Sequence, residues 1–187
     1  MSRWDPDARS RLERAAYELY LERGFDNVTV ADITERVGLK PRSFFRHFPD
    51  KREVLFSGSD AFQAKVLAAI TEAEPSIGPM DVVAGALAAA GAYLAEYGEP
   101  ARLRAGIVAA STDLQERELI KMAALSAAIT HGLRERGVDD LTATLTAQAG
   151  NAVFTTAFQR WVDDRTADFT ALFHRTLDDF RQAVQPG

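Results

Sequence analysis

The stretch from Thr29 to Lys51, TVADITERVGLKPRSFFRHFPDK, restricts this chain more than any other. It predicts a helix, a tight turn, a second short helix and the start of a third. Thr29 can cap a helix through its hydroxyl, and Asp32 three residues on completes a capping-box pattern. Val28 and Ile33 flank that cap as a hydrophobic staple, and Ile33 and Val37 give the helix its buried side. Gly38 ends it, because glycine enters the left-handed region at little cost. Pro41 suits the first turn of the next helix, where its missing N–H is not needed. Phe44 and Phe48, four residues apart, anchor that helix, and Pro49 stops it. Asp50 and Glu53 form a second cap-like pair, so Lys51 opens a longer helix.

Charge gives this hairpin a partner. Between Arg36 and Arg52 stand six basic residues, Arg36, Lys40, Arg42, Arg46, Lys51 and Arg52, against the one acid Asp50. The whole chain carries a net charge of −5. A dense basic cluster in an acidic protein calls for an anionic ligand, and a helix–turn–helix frame with a short basic second helix points to duplex DNA. Residues 1–56 hold eleven Lys or Arg against ten Asp or Glu; residues 57–187 hold eleven against seventeen, a net of −6. That contrast separates a DNA-facing part, 1–50, from a part with another task, 51–187.

The ordered residues also resemble a known family. Residues 7–56 are similar to the N-terminal domain of the tetracycline-repressor (TetR) family of bacterial transcription regulators. The likeness rests on Tyr17-Glu18-Leu19-Tyr20 with Arg23-Gly24-Phe25, on Thr29-Val30-Ala31-Asp32-Ile33 and on Val37-Gly38-Leu39. It continues through Ser43-Phe44-Phe45-Arg46-His47-Phe48-Pro49-Asp50-Lys51. The resemblance implies that Thr29, Ser43, His47 and Lys51 meet the phosphate backbone. It places Arg42 where the recognition helix first meets base edges, and Arg can read guanine bidentately. Lys40 and Arg46 belong to the same DNA-facing set. Three positions depart from the family pattern: Lys40 replaces a Ser cap, Phe45 replaces a Tyr and keeps only an apolar contact, and Arg42 replaces a common Gly.

The rest of the chain reads as helix throughout, giving an all-α fold of about nine helices. The first runs from about Asp7 to Arg23, with Leu12, Ala15, Ala16, Leu19 and Tyr20 on one side. Arg3, in a loose N-terminal tail, is a further candidate for DNA. The fourth helix runs from Lys51 to about Glu74, with Gly58 as its weak spot. The fifth, Met80 to Tyr97, carries Ala84, Gly85, Ala88, Ala89, Gly91 and Ala92, which leave room for close packing or a cavity. Helices over about 101–110 and 112–136 follow. The last two, the eighth and ninth, run to about Asp163 and about Ala183. Ala149, Gly150, Ala152, Val153 and Ala157 on the eighth permit close helix approach. These two helices are expected to build a four-helix bundle with a second copy, making a homodimer as the family resemblance implies.

An apolar pocket in the C-terminal part is expected to be lined by residues drawn from Phe62, Leu87, Leu94, Leu103, Ile107, Met122, Leu125, Phe154, Phe158 and Trp161. Arg102, Arg104, His131 and Gln159 could meet a ligand's polar end. The Ala-rich fifth helix with Phe158-Gln159-Arg160-Trp161 resembles actinobacterial family members that sense acyl-chain or acyl-CoA-like ligands. The chain has no cysteine, three histidines, no glycine-rich phosphate loop and no metal-ligand spacing, so neither an enzyme nor a cofactor is expected. No signal peptide opens it and no stretch suits a membrane span, which fits a cytoplasmic protein. The expectation is a transcriptional regulator, a dimeric repressor released from a palindromic operator when a small apolar effector tilts the fourth helix. The competing reading is a helical lipid or small-molecule binder with no specific hold on DNA.

Overall fold

The computed structural model describes residues 7–184. Among them are ten α-helices and no strand: α1 (Ala8–Arg23), α2 (Val30–Arg36), α3 (Pro41–Phe44), α4 (Glu53–Phe56), α5 (Ser59–Glu72), α6 (Pro79–Glu96), α7 (Glu99–Ala109), α8 (Thr112–Glu135), α9 (Asp140–Asp163) and α10 (Phe169–Val184). All nine expected helices are present, with the fourth interrupted at Ser57–Gly58 to give α4 and α5. Arg3 lies outside the described residues.

The chain divides into two compact units, one holding the residues up to Gly58 together with Leu103–Glu118, the other Ser59–Arg102 and the residues from Leu119 onward. The division expected between residues 50 and 51 therefore falls inside the first unit. The reason is apolar surface. Val54, Leu55 and Phe56 on α4 are buried in one cluster with Leu12, Leu19, Ile33, Phe44 and Phe48, and Ile107, Val108 and Leu114 join that cluster from the second segment. Three short helices alone have too little core to stand, and each fully buried large side chain contributes about 1.5–3 kcal/mol.

Polar links fix the added segment in place. The Arg104 guanidinium donates to the Leu55 carbonyl at 2.7 Å and to Glu118 at 2.7 Å, and it lies 4.8 Å from the centre of the Phe56 ring. Arg117 pairs with Glu53, and Arg52 bridges Asp50 at 2.9 Å and Asp113 at 3.0 Å. Asp50 in turn accepts from the amides of Arg52 and Glu53 ahead of α4, whose N-cap position is Arg52, while the Glu53 carboxylate is paired with Arg117.

In the second unit α6 packs on α5, α9 and α10, and α9 on α10. Its core is aromatic: Phe62, Phe154, Trp161, Phe169 and Phe173 lie within one cluster, with neighbouring ring centres 5.3–6.4 Å apart. The small residues of α6 and α9 serve close packing. A Cβ on Gly91 would overlap the Phe169 ring, and one on Gly150 would stand 2.5 Å from Val83 Cγ1. Arg136 closes the C-terminal end of α5 by donating to the carbonyls of Ile70, Ala73 and Glu74. Gly150, Val153 and Ala157, expected to help join two copies, are buried inside this unit, whereas Ala152 is exposed.

Candidate nucleic-acid interface

The helix–turn–helix forms as the spacing predicts. The Thr29 hydroxyl accepts from the Asp32 amide at 3.2 Å, while the Asp32 carboxylate accepts from the Thr29 amide at 2.7 Å, a complete capping box. The Thr29 hydroxyl also donates to the Asp32 carboxylate, and this bond first, then the one from the Thr29 amide, holds the Asp32 carboxyl below its ordinary range. At the other end of α2, Gly38 has φ +68°, and the Leu39 amide returns to the Thr34 carbonyl at 2.8 Å. Pro41 then stands at the first position of α3. The regular helix lasts only to Phe44 and continues as a turn through His47, where the His47 amide donates to the Phe44 carbonyl at 2.9 Å. Lys40 supplies no side-chain cap; its carbonyl accepts from the Ser43 amide instead.

Phe44 and Phe48 sink into the core, with ring centres 5.2 Å apart. That burial turns the opposite side of the segment outward. Lys40, Arg42, Phe45 and Arg46 are exposed, Phe45 with 57% of its surface. Arg42, Phe45 and Arg46 follow the three- and four-residue spacing that puts side chains on one helix face. None of the three cations has a hydrogen bond or ion pair among the described residues. An apolar ring between unpaired cations combines a surface for a base or thymine methyl with donors for phosphate and guanine.

The remaining basic residues of the cluster are occupied. Arg36 pairs with Glu22 at 2.8 Å and Glu18 at 3.5 Å on α1. Arg52 carries its two acids, which raise its pKa, the Asp50 hydrogen bond most. Lys51, expected at phosphate, points its ammonium inward: it donates to the carbonyls of Phe25 and Val28, each at 2.8 Å, and lies 4.1 Å from the Phe25 ring centre. Burial pulls its pKa below the ordinary lysine value, Asp26 and Asp113 opposing. The Lys51 carbonyl accepts the Tyr20 hydroxyl at 2.7 Å. Ser43 and His47 are half-buried at the edge of the exposed face.

The expected pocket residues do not form one set. Ile107 is in the core of the first unit and Leu103 is half-buried in the same unit. Phe62, Leu87, Leu125, Phe154 and Trp161 are core residues of the second, with Leu94, Met122 and Phe158 half-buried against them. Arg102 is spent on the backbone, donating to the carbonyls of Trp161 and Asp164 while stacking 3.8 Å from the Trp161 ring centre. Arg104 is held within the first unit, and Gln159 donates to Asp163 at 3.0 Å on an exposed face. A surface groove of about 540 Å³ runs between α8 and α9, lined by Ala123, Ser126, Ala127, Thr130, His131, Arg134, Thr144 and Gln148. Of the expected residues only His131 reaches it.

An exposed basic second helix on a buried aromatic anchor defines a helix–turn–helix DNA-binding protein. Comparison with known proteins agrees. The model of bacterial regulatory proteins of the tetR family matches residues 13–57, and that of the MftR C-terminal domain matches residues 77–185. The HTH-type transcriptional regulator TcmR of Streptomyces glaucescens is 38% identical over 81 residues, 43% of this chain. That match spans 36% of TcmR, about a third of its length. Among solved structures, the SmeT–triclosan complex superposes with a TM-score of 0.67 at 18% identity, covering 96% of this chain and 93% of SmeT. NalD, the secondary repressor of the MexAB-OprM multidrug efflux pump in Pseudomonas aeruginosa, does so with a TM-score of 0.64 at 17% identity, covering 95% of each chain. The chain belongs to the tetR family of bacterial regulatory proteins.

Proposed function

We propose that the protein is a repressor that binds a near-palindromic operator as a homodimer and is released by a small, mostly apolar effector. The observation that carries this reading is the face of unpaired Lys40, Arg42 and Arg46 around exposed Phe45. Arg42 is the base reader, Lys40 and Arg46 bind phosphate, and Ser43 and His47 add contacts at the edge. One such short helix gives too few base contacts for tight specific binding, so two copies related by a two-fold axis read two half-sites about one helical turn apart.

The two-fold contact is placed on the last two helices, α9 and α10. Leu141 and Leu145 stand 68% and 57% exposed one turn apart on α9, in line with Ala152, and Val184 is exposed at the end of α10. The effector, acyl-chain or acyl-CoA-like, enters among the half-buried Leu94, Met122 and Phe158, beside Phe62, Leu125 and Trp161. SmeT, a structural neighbour, is described in complex with triclosan.

Coupling is carried by α7 and α8 rather than by one long fourth helix. That helix is interrupted at Ser57–Gly58, at the division between the units. By contrast, α7 and α8 each continue unbroken through the division, at residues 102–103 and 118–119. An effector shifts the DNA-binding equilibrium only by its differential affinity for the two states, typically about 1–3 kcal/mol. A cytoplasmic, non-enzymatic role without a cofactor belongs to the same reading; no helix among the described residues is long and apolar enough to cross a membrane.

The test is selection of bound duplexes from a random DNA library by the purified protein at physiological salt. Enrichment of a palindrome is expected and gives the half-site spacing. Weak binding without sequence preference would overturn the repressor reading in favour of a lipid or small-molecule binder.

A further inference from the structure

The exposed recognition segment is short. Helix α3 has four residues and no side-chain cap; its bond from the Phe45 amide to the Pro41 carbonyl is long at 3.4 Å, and the turn after it is closed by the Phe48 amide on the Phe44 carbonyl at 3.0 Å. A helix this short has no stability of its own. Phe44 and Phe48 fix its depth and turn Arg42, Phe45 and Arg46 outward. The finer direction of that face also depends on what holds the backbone at the two ends of the segment.

Two arginines on α1 supply that constraint. Arg11 Nη2 donates to the Val37 carbonyl at 2.6 Å, just before the turn. Arg9 Nη1 donates to the His47 carbonyl at 3.3 Å, just after the segment, and its guanidinium carbon lies 4.8 Å from the Phe48 ring centre. Glu13, one turn on, accepts from Arg9 Nε at 3.2 Å and orients the guanidinium. One turn of α1 thus grips carbonyls on both sides of the recognition segment.

We infer that Arg9 and Arg11 are positioning residues for sequence recognition: they set the orientation in which the segment offers Arg42 to base edges. This rests on the reading of that face as the operator site. It differs from a role for Arg9 as one more phosphate contact, which its partly exposed side chain would also permit. The two roles separate by chemistry. A phosphate contact needs positive charge, adds equally to every sequence and contributes about one to the salt slope. A positioning clamp affects the operator alone, and at Arg9, which meets Glu13, the His47 carbonyl and the Phe48 ring at once, it needs the planar guanidinium that lysine lacks.

The experiment measures affinities of wild-type, Arg9→Lys, Arg9→Ala and Arg11→Lys proteins for the selected operator and for a scrambled duplex. A salt series and a thermal unfolding curve accompany each variant. The expected result is a fall of about tenfold in the operator-to-scrambled ratio for every variant, Arg9→Lys included, with an unchanged salt slope. Unfolding midpoints close to wild type for the lysine variants would separate this from lost folding. If Arg9→Lys and Arg11→Lys keep the wild-type ratio, the inference is overturned. The same holds if Arg9→Ala weakens both duplexes equally with a slope lower by about one. A wild-type protein that selects no operator would overturn the underlying DNA reading before any variant is compared, and this inference with it.

Discussion

The recognition face and the aromatic core of the second unit are both rich in side chains that sequence inspection marks as functional, yet they put them to opposite uses. On the face, Lys40, Arg42 and Arg46 have no side-chain partner among the described residues and Phe45 is exposed. In the core, Phe62, Trp161 and Phe169 are buried among one another, and Arg102, which was expected to greet a ligand, caps α9 instead. An unsatisfied group on a surface is available for binding, whereas a satisfied group in a core is stabilising its own unit. The contrast makes quantitative statements about which substitutions act on stability and which on DNA.

The largest effect separates core from ligand wall. Trp161 is 3% exposed, and its ring packs on Phe158, Phe169 and Arg102. Trp161→Ala should destabilise the protein by about 3–5 kcal/mol, the range for a large aromatic removed from a packed core. Denaturant unfolding reads this directly. A loss below about 1 kcal/mol would mean that Trp161 lines accommodating space, and would break the comparison on the core side.

Lys51 is the intermediate case, a basic residue of the recognition stretch that the structure turns inward. With two carbonyls and a ring face as partners, Lys51→Ala should cost about 1–2 kcal/mol of stability. Its operator affinity should fall only as far as folding does. A variant of wild-type stability whose salt slope drops by about one would return Lys51 to the phosphate backbone.

These cases show where sequence was sufficient. The capping box at Thr29, the turn at Gly38, the buried pair Phe44 and Phe48, and the weak point at Gly58 all follow from local chemistry, and local chemistry is what neighbouring residues specify. The occupied cations were not legible. Arg52 meets Asp113 and Arg117 meets Glu53, partners more than sixty positions apart in the chain. Periodicity marks Ile107 as apolar without saying which core receives it. The same limit hid the pairing of α6 with α9 and α10: Gly91 reads equally as room for a cavity or as close packing, Gly150 as close approach to an unnamed helix, and only the positions of Phe169 and Val83 decide.

Arg42 and Arg46 sharpen the other side of the comparison. Each substitution to Ala should leave stability within about 0.5 kcal/mol, because neither side chain has a partner among the described residues to lose. Arg42→Ala should lower operator affinity by about 1–3 kcal/mol and relax preference at one base position, whereas Arg46→Ala should weaken all duplexes alike. Binding curves on single-base operator variants distinguish the two patterns. An unchanged preference in Arg42→Ala would remove it as the base reader.

The smallest effect tests whether the Thr29 hydroxyl serves the helix or the DNA. Asp32 has its folded-state pKa depressed by hydrogen bonds from Thr29, so the capping box contributes stability above the ordinary carboxyl value of 3.8. The contribution is lost as pH falls through the depressed folded value. The difference in unfolding midpoint between wild type and Asp32→Asn should therefore be constant from about pH 7 to 5 and shrink below about pH 4. Thr29→Ala should lose part of that increment with the same pH profile, since it removes the hydroxyl that donates to Asp32 and leaves the backbone amide donor. If Thr29→Ala instead leaves the profile intact and lowers the salt slope of DNA binding, the hydroxyl belongs to phosphate. The recognition face would then begin one helix earlier, at the N-terminus of α2.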